Sequence, residues 1–137
     1  MAPLTEHEIE VRVRYSEADP MGVVHHAAYL TYFEMGRTEL YRAAGGDYRL
    51  MEEQGLFLVV AEIRVKYHRA AHYDDVLIVR TRLKSASPVK LIHEYEIVRG
   101  GDRITTAETV LACINGEGKL RRIPEQIVSR IEAAVGK

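Results

Sequence analysis

The segment Tyr15-Ser16-Glu17-Ala18-Asp19-Pro20-Met21-Gly22-Val23-Val24-His25-His26 concentrates reactive side chains more densely than any other stretch of the chain. Asp19 stands seven residues ahead of His26, where an apolar pattern at helical spacing begins. The first N–H groups of a helix have no partner within it, so they are ready donors to an anion or a polarised carbonyl. A carboxylate beside them can attack a carbonyl carbon, or activate water to attack it, while the amides stabilise the developing oxyanion. That pairing is what hydrolysis of an acyl group requires. Gly22 lets the backbone approach a ligand closely. Each residue also has a plainer reading. Asp-Pro favours turns. His26 could cap the helix or pack, and His25 reads as structural. Tyr15 continues the apolar parity of the strand before it, which suits a core tyrosine with a satisfied hydroxyl.

The elements around this segment follow from periodicity. Ile9, Val11, Val13 and Tyr15 alternate with charged residues over 8–15, the pattern of a half-buried strand. From His26 to Ala44 the apolar residues recur at helical spacing, and Gly45-Gly46 supplies the stop. Ala27 to Phe33 is apolar on nearly all sides, which predicts a helix enclosed by protein. Asp47 fits the N-cap of a short helix ending at Gly55. Alternation over 57–68, 77–84 and 90–98, and an apolar stretch over 104–115, predict four further strands. Arg99-Gly100-Gly101-Asp102 and Gly116-Glu117-Gly118 supply turns. Pro124 opens a C-terminal helix with Ile127, Ile131 and Val135 on one face. Consecutive strands joined by short turns are antiparallel, so one long helix against them makes an α+β domain, with 1–137 read as a single unit.

Composition excludes several classes. The 137 residues carry 19 basic and 20 acidic side chains, a net charge of −1, which argues against a nucleic-acid partner. Residues 1–62 hold 11 acidic and 5 basic side chains, whereas 63–137 hold 9 and 14. The later basic excess leaves room for an anionic small molecule. One cysteine, Cys113, rules out an internal disulfide or a multi-cysteine zinc site. It reads as inert packing in its strand. No stretch reaches the length of a membrane span, and the polar N-terminus does not read as a signal peptide. A cytoplasmic location is the expectation. His93 falls on the apolar parity of its strand and reads as a satisfied core histidine. His68 and His72 lack a third ligand at metal-site spacing. Glu34 and Arg37, three residues apart on the helix, read as a salt-linked pair.

The pattern Tyr15-x-x-x-Asp19-x-x-Gly22-Val-Val-x-His26-Ala-x-Tyr29-Leu-x-Tyr32-Phe33-Glu34-x-x-Arg37 resembles the hotdog-fold acyl-CoA thioesterases. It is most similar to the 4-hydroxybenzoyl-CoA thioesterase superfamily, in the bacterial subgroup typified by the Tol-Pal-associated thioesterase. Tyr67-His-Arg-Ala-Ala-His-Tyr-Asp74-Asp75 resembles that family's second block, with Ala70 where the family usually has proline. The likeness extends over about residues 6–122. It implies a five-stranded antiparallel sheet wrapped around the long central helix, followed here by the short C-terminal helix. It also implies a homodimer or a homotetramer built as a dimer of dimers, with active sites between subunits.

By position the resemblance makes Asp19 the catalytic carboxylate and the His26 N–H the carbonyl-polarising donor. Tyr15 and the His26 side chain match residues that act in catalysis or substrate orientation. Gly22, Val23 and Tyr29 are the implied substrate contacts. Lys66, Arg69 and Lys90 are the candidates for the phosphates of coenzyme A, because Lys and Arg make charge-assisted contacts to phosphate. The expected activity is hydrolysis of a short-chain or aromatic acyl-CoA with no metal or redox cofactor. A hotdog hydratase or dehydratase, or a non-catalytic acyl-CoA or acyl-carrier binding module, are the alternatives.

Overall fold

The computed structural model describes residues 5–46 and 48–124. β1 (Glu6–Arg12) forms where Ile9 and Val11 alternate with Glu8, Glu10 and Arg12. It ends earlier than the alternation predicts. Tyr15–Glu17 is a single 3-10 turn, and Tyr15 is 82% exposed rather than a core residue. The cause is local. The Glu17 carboxylate accepts the Arg14 backbone N–H at 2.8 Å and the Arg14 guanidinium at 3.1 and 3.2 Å, which winds the chain out of the strand.

α1 (Ala28–Ala43) and α2 (Tyr48–Glu53) follow, and then β2 (Leu56–Tyr67), β3 (Val76–Ala86), β4 (Leu91–Arg99) and β5 (Asp102–Asn115). The strands lie in the order β1-β3-β4-β5-β2, every pair antiparallel. A short β6 (Leu120–Arg121) pairs with the end of β5, so the sheet has six strands rather than five. The expected N-cap at Asp47 and the expected helix beyond Pro124 lie outside the described residues.

The inner face of the sheet carries Val79, Thr81, Leu83, His93, Tyr95, Ile97, Thr109 and Leu111, all buried. α1 lays Tyr29, Tyr32, Phe33, Gly36 and Leu40 on that face. Its opposite side stays open, with Leu30 and Met35 about two-fifths exposed. Within one chain the helix is therefore covered on one face only, not enclosed as its apolar first turns predict. α1 comes closest to β1 and β3. Gly36 permits the approach, because a Cβ there would collide with the Thr81 hydroxyl.

The outer face is a lattice of ion pairs. Arg80 bridges Glu8 of β1 at 2.7 Å and Glu96 of β4 at 3.0 Å, and Arg103 reaches Glu96 at 2.9 Å. Lys84 and Arg64 share Glu108, and Arg82 pairs with Glu94. Exposed pairs of this kind contribute roughly 0–1 kcal/mol each. They absorb much of the basic excess that follows residue 62. Lys66, Arg69 and Lys90 make no ion pair among the described residues.

Candidate active site

Asp19 opens a tight loop closed by the Ala18–Val24 bridge, with Asp19 N–H donating to the Val23 carbonyl at 2.8 Å. The turn needs Gly22, whose φ is +80°. Asp19 Oδ1 accepts the backbone N–H of Met21 at 2.9 Å and of Val23 at 3.1 Å. The other carboxylate oxygen, Oδ2, has no partner among the described residues. One oxygen is fixed and the other is free to act. The turn reading of Asp19 and the chemical reading are therefore compatible.

The loop is held from both sides. Val23 bridges His72, Val24 N–H donates to the Ala71 carbonyl at 2.8 Å, and Tyr73 N–H donates to the Gly22 carbonyl at 2.9 Å. Asp75 fixes that second segment by accepting the Arg99 guanidinium at 2.7 Å and the His72 N–H at 2.8 Å. Burial works to raise the Asp75 pKa, but the Arg99 and His72 contacts outweigh it and leave it below the ordinary value. On the other side, Tyr32 of α1 donates its hydroxyl to Glu17 at 2.9 Å, and His25 N–H donates to the Glu17 carbonyl at 2.8 Å. Burial likewise works to raise the Glu17 pKa, and hydrogen bonds from Arg14 and Tyr32 bring it below the usual range.

The start of α1 is arranged around one free amide. Ala27, the N-cap residue, has no side chain that can cap. His25 takes that role: its Nδ1 accepts Ala27 N–H at 3.1 Å and its carbonyl accepts Ala28 N–H at 2.9 Å. An accepting Nδ1 puts the proton of neutral His25 on Nε2. The His26 N–H donates to no group among the described residues. His26 stacks on His25 with ring centroids 4.2 Å apart, and its carbonyl accepts the Tyr67 hydroxyl at 3.0 Å. A carboxylate with a free oxygen and a free amide at a helix start are thus held on one short, doubly anchored segment.

The other sequence-selected residues sort by position. Tyr15 lies on the same segment, exposed, with its ring edge-on to Tyr73 at 5.5 Å. Tyr29 is 2% exposed and packs against Tyr32 and Tyr67, so it supports the segment from the core. Lys66 and Arg69 sit at the end of β2, the same end of the sheet as the Asp19 loop. Lys90 lies at the opposite end, in the turn between β3 and β4. About eight strand residues, on the order of 25 Å, separate the two ends within one chain.

Two pairings expected from sequence are absent. Glu34 and Arg37 form no ion pair; Arg37 instead lies beside the Tyr95 hydroxyl. His93 is buried, but its Nδ1 has no hydrogen-bond partner, so it is not a satisfied core histidine. Burial, and then the Arg37 charge, push its pKa down to about 3. Among the described residues no group of three or more His, Cys, Asp or Glu side chains could hold a metal ion. Nor is any helix among them long and apolar enough to cross a membrane. Sequence reasoning missed Glu17, Tyr67 and the capping role of His25. Glu17 lies two residues before Asp19, but its partner Tyr32 is fifteen residues away, and no local signal links them.

A sequence profile described as the thioesterase-like superfamily matches residues 13–131, which begins before the loop and runs past β6. The chain belongs to this superfamily. It is a hotdog-fold thioester hydrolase. The acyl-CoA thioesterase YbgC of Haemophilus influenzae is 34% identical over 119 residues, covering 85% of this chain and 88% of that protein. The solved structure of a DHNA-CoA thioesterase from Staphylococcus aureus superimposes with a TM-score of 0.86 at 32% identity, covering 93% of this chain and 87% of that one. A hypothetical protein, TT1821 from Thermus thermophilus, superimposes with a TM-score of 0.86 at 34% identity, covering 93% and 98%. A hydratase on the same fold, the first alternative from sequence, is not what these relatives are named for.

Proposed function

We propose that this thioesterase hydrolyses acyl-CoA, with Asp19 as the catalytic carboxylate. The observation that carries the reading is the division of labour within Asp19: Oδ1 is pinned by Met21 and Val23, and Oδ2 is unpartnered. The thioester carbonyl oxygen accepts the His26 N–H, and the positive end of α1 favours the charge that builds there. Oδ2 attacks the carbonyl carbon or takes a proton from the attacking water. After attack by water the C–S bond breaks, coenzyme A leaves as the thiolate and takes up the proton held by Oδ2, and the acid is released. After attack by Oδ2 the C–S bond breaks to leave an acyl anhydride on Asp19, which water then hydrolyses to the acid and the free carboxylate. The His26 ring and Tyr15 flank this path and orient the substrate, with Gly22 and Val23 as its floor. Lys66 and Arg69 are the cations we assign to the coenzyme phosphates, since no carboxylate among the described residues pairs with them and they share the Asp19 end of the sheet.

The relatives' names support acyl-CoA as the substrate, and the resemblance favours a short-chain or aromatic acyl group. Assembly as a homodimer or homotetramer accords with two features: β2 is a twelve-residue edge strand, and Val60 on it and Leu30 and Met35 on α1 are exposed apolar side chains. A second subunit is also the route by which Lys90 could reach a phosphate. A cytoplasmic site of action goes with this substrate. The test is a panel of aliphatic and aromatic acyl-CoA esters followed by release of free thiol. Turnover concentrated in short or aromatic esters supports the reading. Thioester binding without any release would favour a non-catalytic acyl-CoA binding module.

A further inference from the structure

A cavity of about 260 Å³ opens between the middle of α1, α2 and the start of β2. Glu34 and Arg37 line it from α1, Tyr48 and Glu52 from α2, and Phe57 and Leu58 from β2. The proposed catalytic chemistry uses none of these side chains.

Three observations give this cavity a role. The first is its connection to the thioester end. Tyr67 at the end of β2 meets His26 at the start of α1, while Leu58 near the beginning of β2 meets the cavity with Glu34. β2 therefore runs back alongside α1. α1 packs chiefly on β1 and β3, and α2 is the helix that packs on β2. Between these two points Ile63 and Val65 of β2 are only partly buried against the core beneath α1, so apolar surface stays accessible along β2 from the His26 end toward the cavity. Along the helix the distance from His26 to Glu34 is about 12 Å, the reach of an extended medium-length acyl chain.

The second is Arg37. It is half-buried and has no carboxylate partner among the described residues. It lines the cavity together with Tyr48, lies against the Tyr95 hydroxyl, and its charge reaches the neutral His93. A guanidinium presents up to five donors, and leaving them unanswered in a partly buried site is costly. The third is what lies beside it. Glu34 and Glu52 are exposed carboxylates, and they can only accept. Together the two glutamates outweigh Arg37 in charge, which disfavours a ligand carboxylate. A hydroxyl is the small group that both accepts from a guanidinium and donates to a carboxylate.

We propose that this cavity recognises a hydroxyl at the far end of the acyl group, and that Arg37 is the residue that selects it. The inference rests on the acyl-CoA reading above and adds substrates longer than the short and aromatic ones expected there. Arg37 acts by binding substrate, not by chemistry.

The experiment measures binding separately from turnover. Affinities of ω-hydroxydecanoyl-CoA, decanoyl-CoA and sebacoyl-CoA are measured by calorimetry on the full chain carrying Asp19→Asn, with Arg37 intact and with Arg37→Met. Far-UV circular dichroism checks that each variant is folded. A hydrogen bond to a charged group predicts that the hydroxy ester binds about ten-fold or more tightly than the unsubstituted one. Arg37→Met brings that ratio near one, and Arg37→Lys, which keeps the charge but not the fork, leaves an intermediate ratio. Equal affinity for the hydroxy and plain esters overturns the proposal, as does tightest binding of sebacoyl-CoA or a ratio that survives Arg37→Met. Failure of the acyl-CoA reading shows separately, as absence of thiol release by the unmodified protein.

Discussion

The Tyr32 hydroxyl, in the second turn of α1, donates to Oε1 of Glu17 at 2.9 Å, two residues before the Asp19 carboxylate. Glu17 also takes the Arg14 backbone and guanidinium. One carboxylate therefore fastens the loop to the helix that the free His26 N–H precedes. Tyr32→Phe removes a buried donor and leaves the Glu17 carboxylate short of a partner. A loss of roughly 1–3 kcal/mol is expected in chemical denaturation. Turnover should fall with it, because the loop and α1 are no longer fixed to each other. Unchanged stability and turnover in Tyr32→Phe would show that this link is dispensable.

The same carboxylate sets an acid limit. The folded pKa values of Glu17 and Asp75 are depressed, so the unfolded chain binds protons first as pH falls. Their contribution to stability is complete above the ordinary carboxylate range. It diminishes through that range and is lost once pH drops below the folded values. Melting temperature against pH should be flat near neutrality from these groups and fall on the acid side. Glu17→Gln should flatten part of that slope; an unaltered acid slope in Glu17→Gln would contradict the assignment.

His25 holds the helix start open by capping Ala27 and Ala28 while leaving His26 free. His25→Ala should cost about 0.5–2 kcal/mol, the range of a lost N-terminal cap. It should lower kcat more than it raises KM, since the Ala27 amide loses its side-chain acceptor and the His26 N–H loses its fixed direction. His25→Asn, which can still accept an amide proton, should recover part of both. Equal kinetics in the Ala and Asn variants would rule out a capping role.

Gly36 lets α1 approach β3, and a methyl group there meets the Thr81 hydroxyl. Gly36→Ala gains helix propensity of about 1 kcal/mol but overpacks the contact by about 1–3 kcal/mol, so net destabilisation is expected. Gly36→Ala with Thr81→Val leaves the clash in place, whereas Gly36→Ala with Thr81→Ala should restore stability. Thermal melts of the three proteins decide it.

The strands were legible because each half-buried one alternates, and a glycine or proline signal stands at most of its ends. The loop around Asp19 was legible because Asp, Pro and Gly at that spacing specify a turn whatever surrounds it. The end of β1 was not: Tyr15 has the right parity, and only the Arg14–Glu17 interaction removes it from the strand. The state of Arg37 was hidden for a similar reason. Three-residue spacing on a helix permits a pair with Glu34, but the cavity and the Tyr95 hydroxyl come from elements distant in sequence. Lys90 illustrates a further limit. Its charge is visible in sequence, but its place at the far end of the sheet emerges only from strand order.

The central claim is that the free oxygen of Asp19 performs the chemistry. The most direct measurement is the single-turnover rate of thioester cleavage by Asp19→Asn, compared with the unmodified protein on the same acyl-CoA. The side-chain amide preserves the Met21 and Val23 hydrogen bonds through its own oxygen and so keeps the loop. The rate should be lower by about 10²–10⁴ with acyl-CoA binding retained. A rate within a few-fold of the unmodified protein's would contradict it.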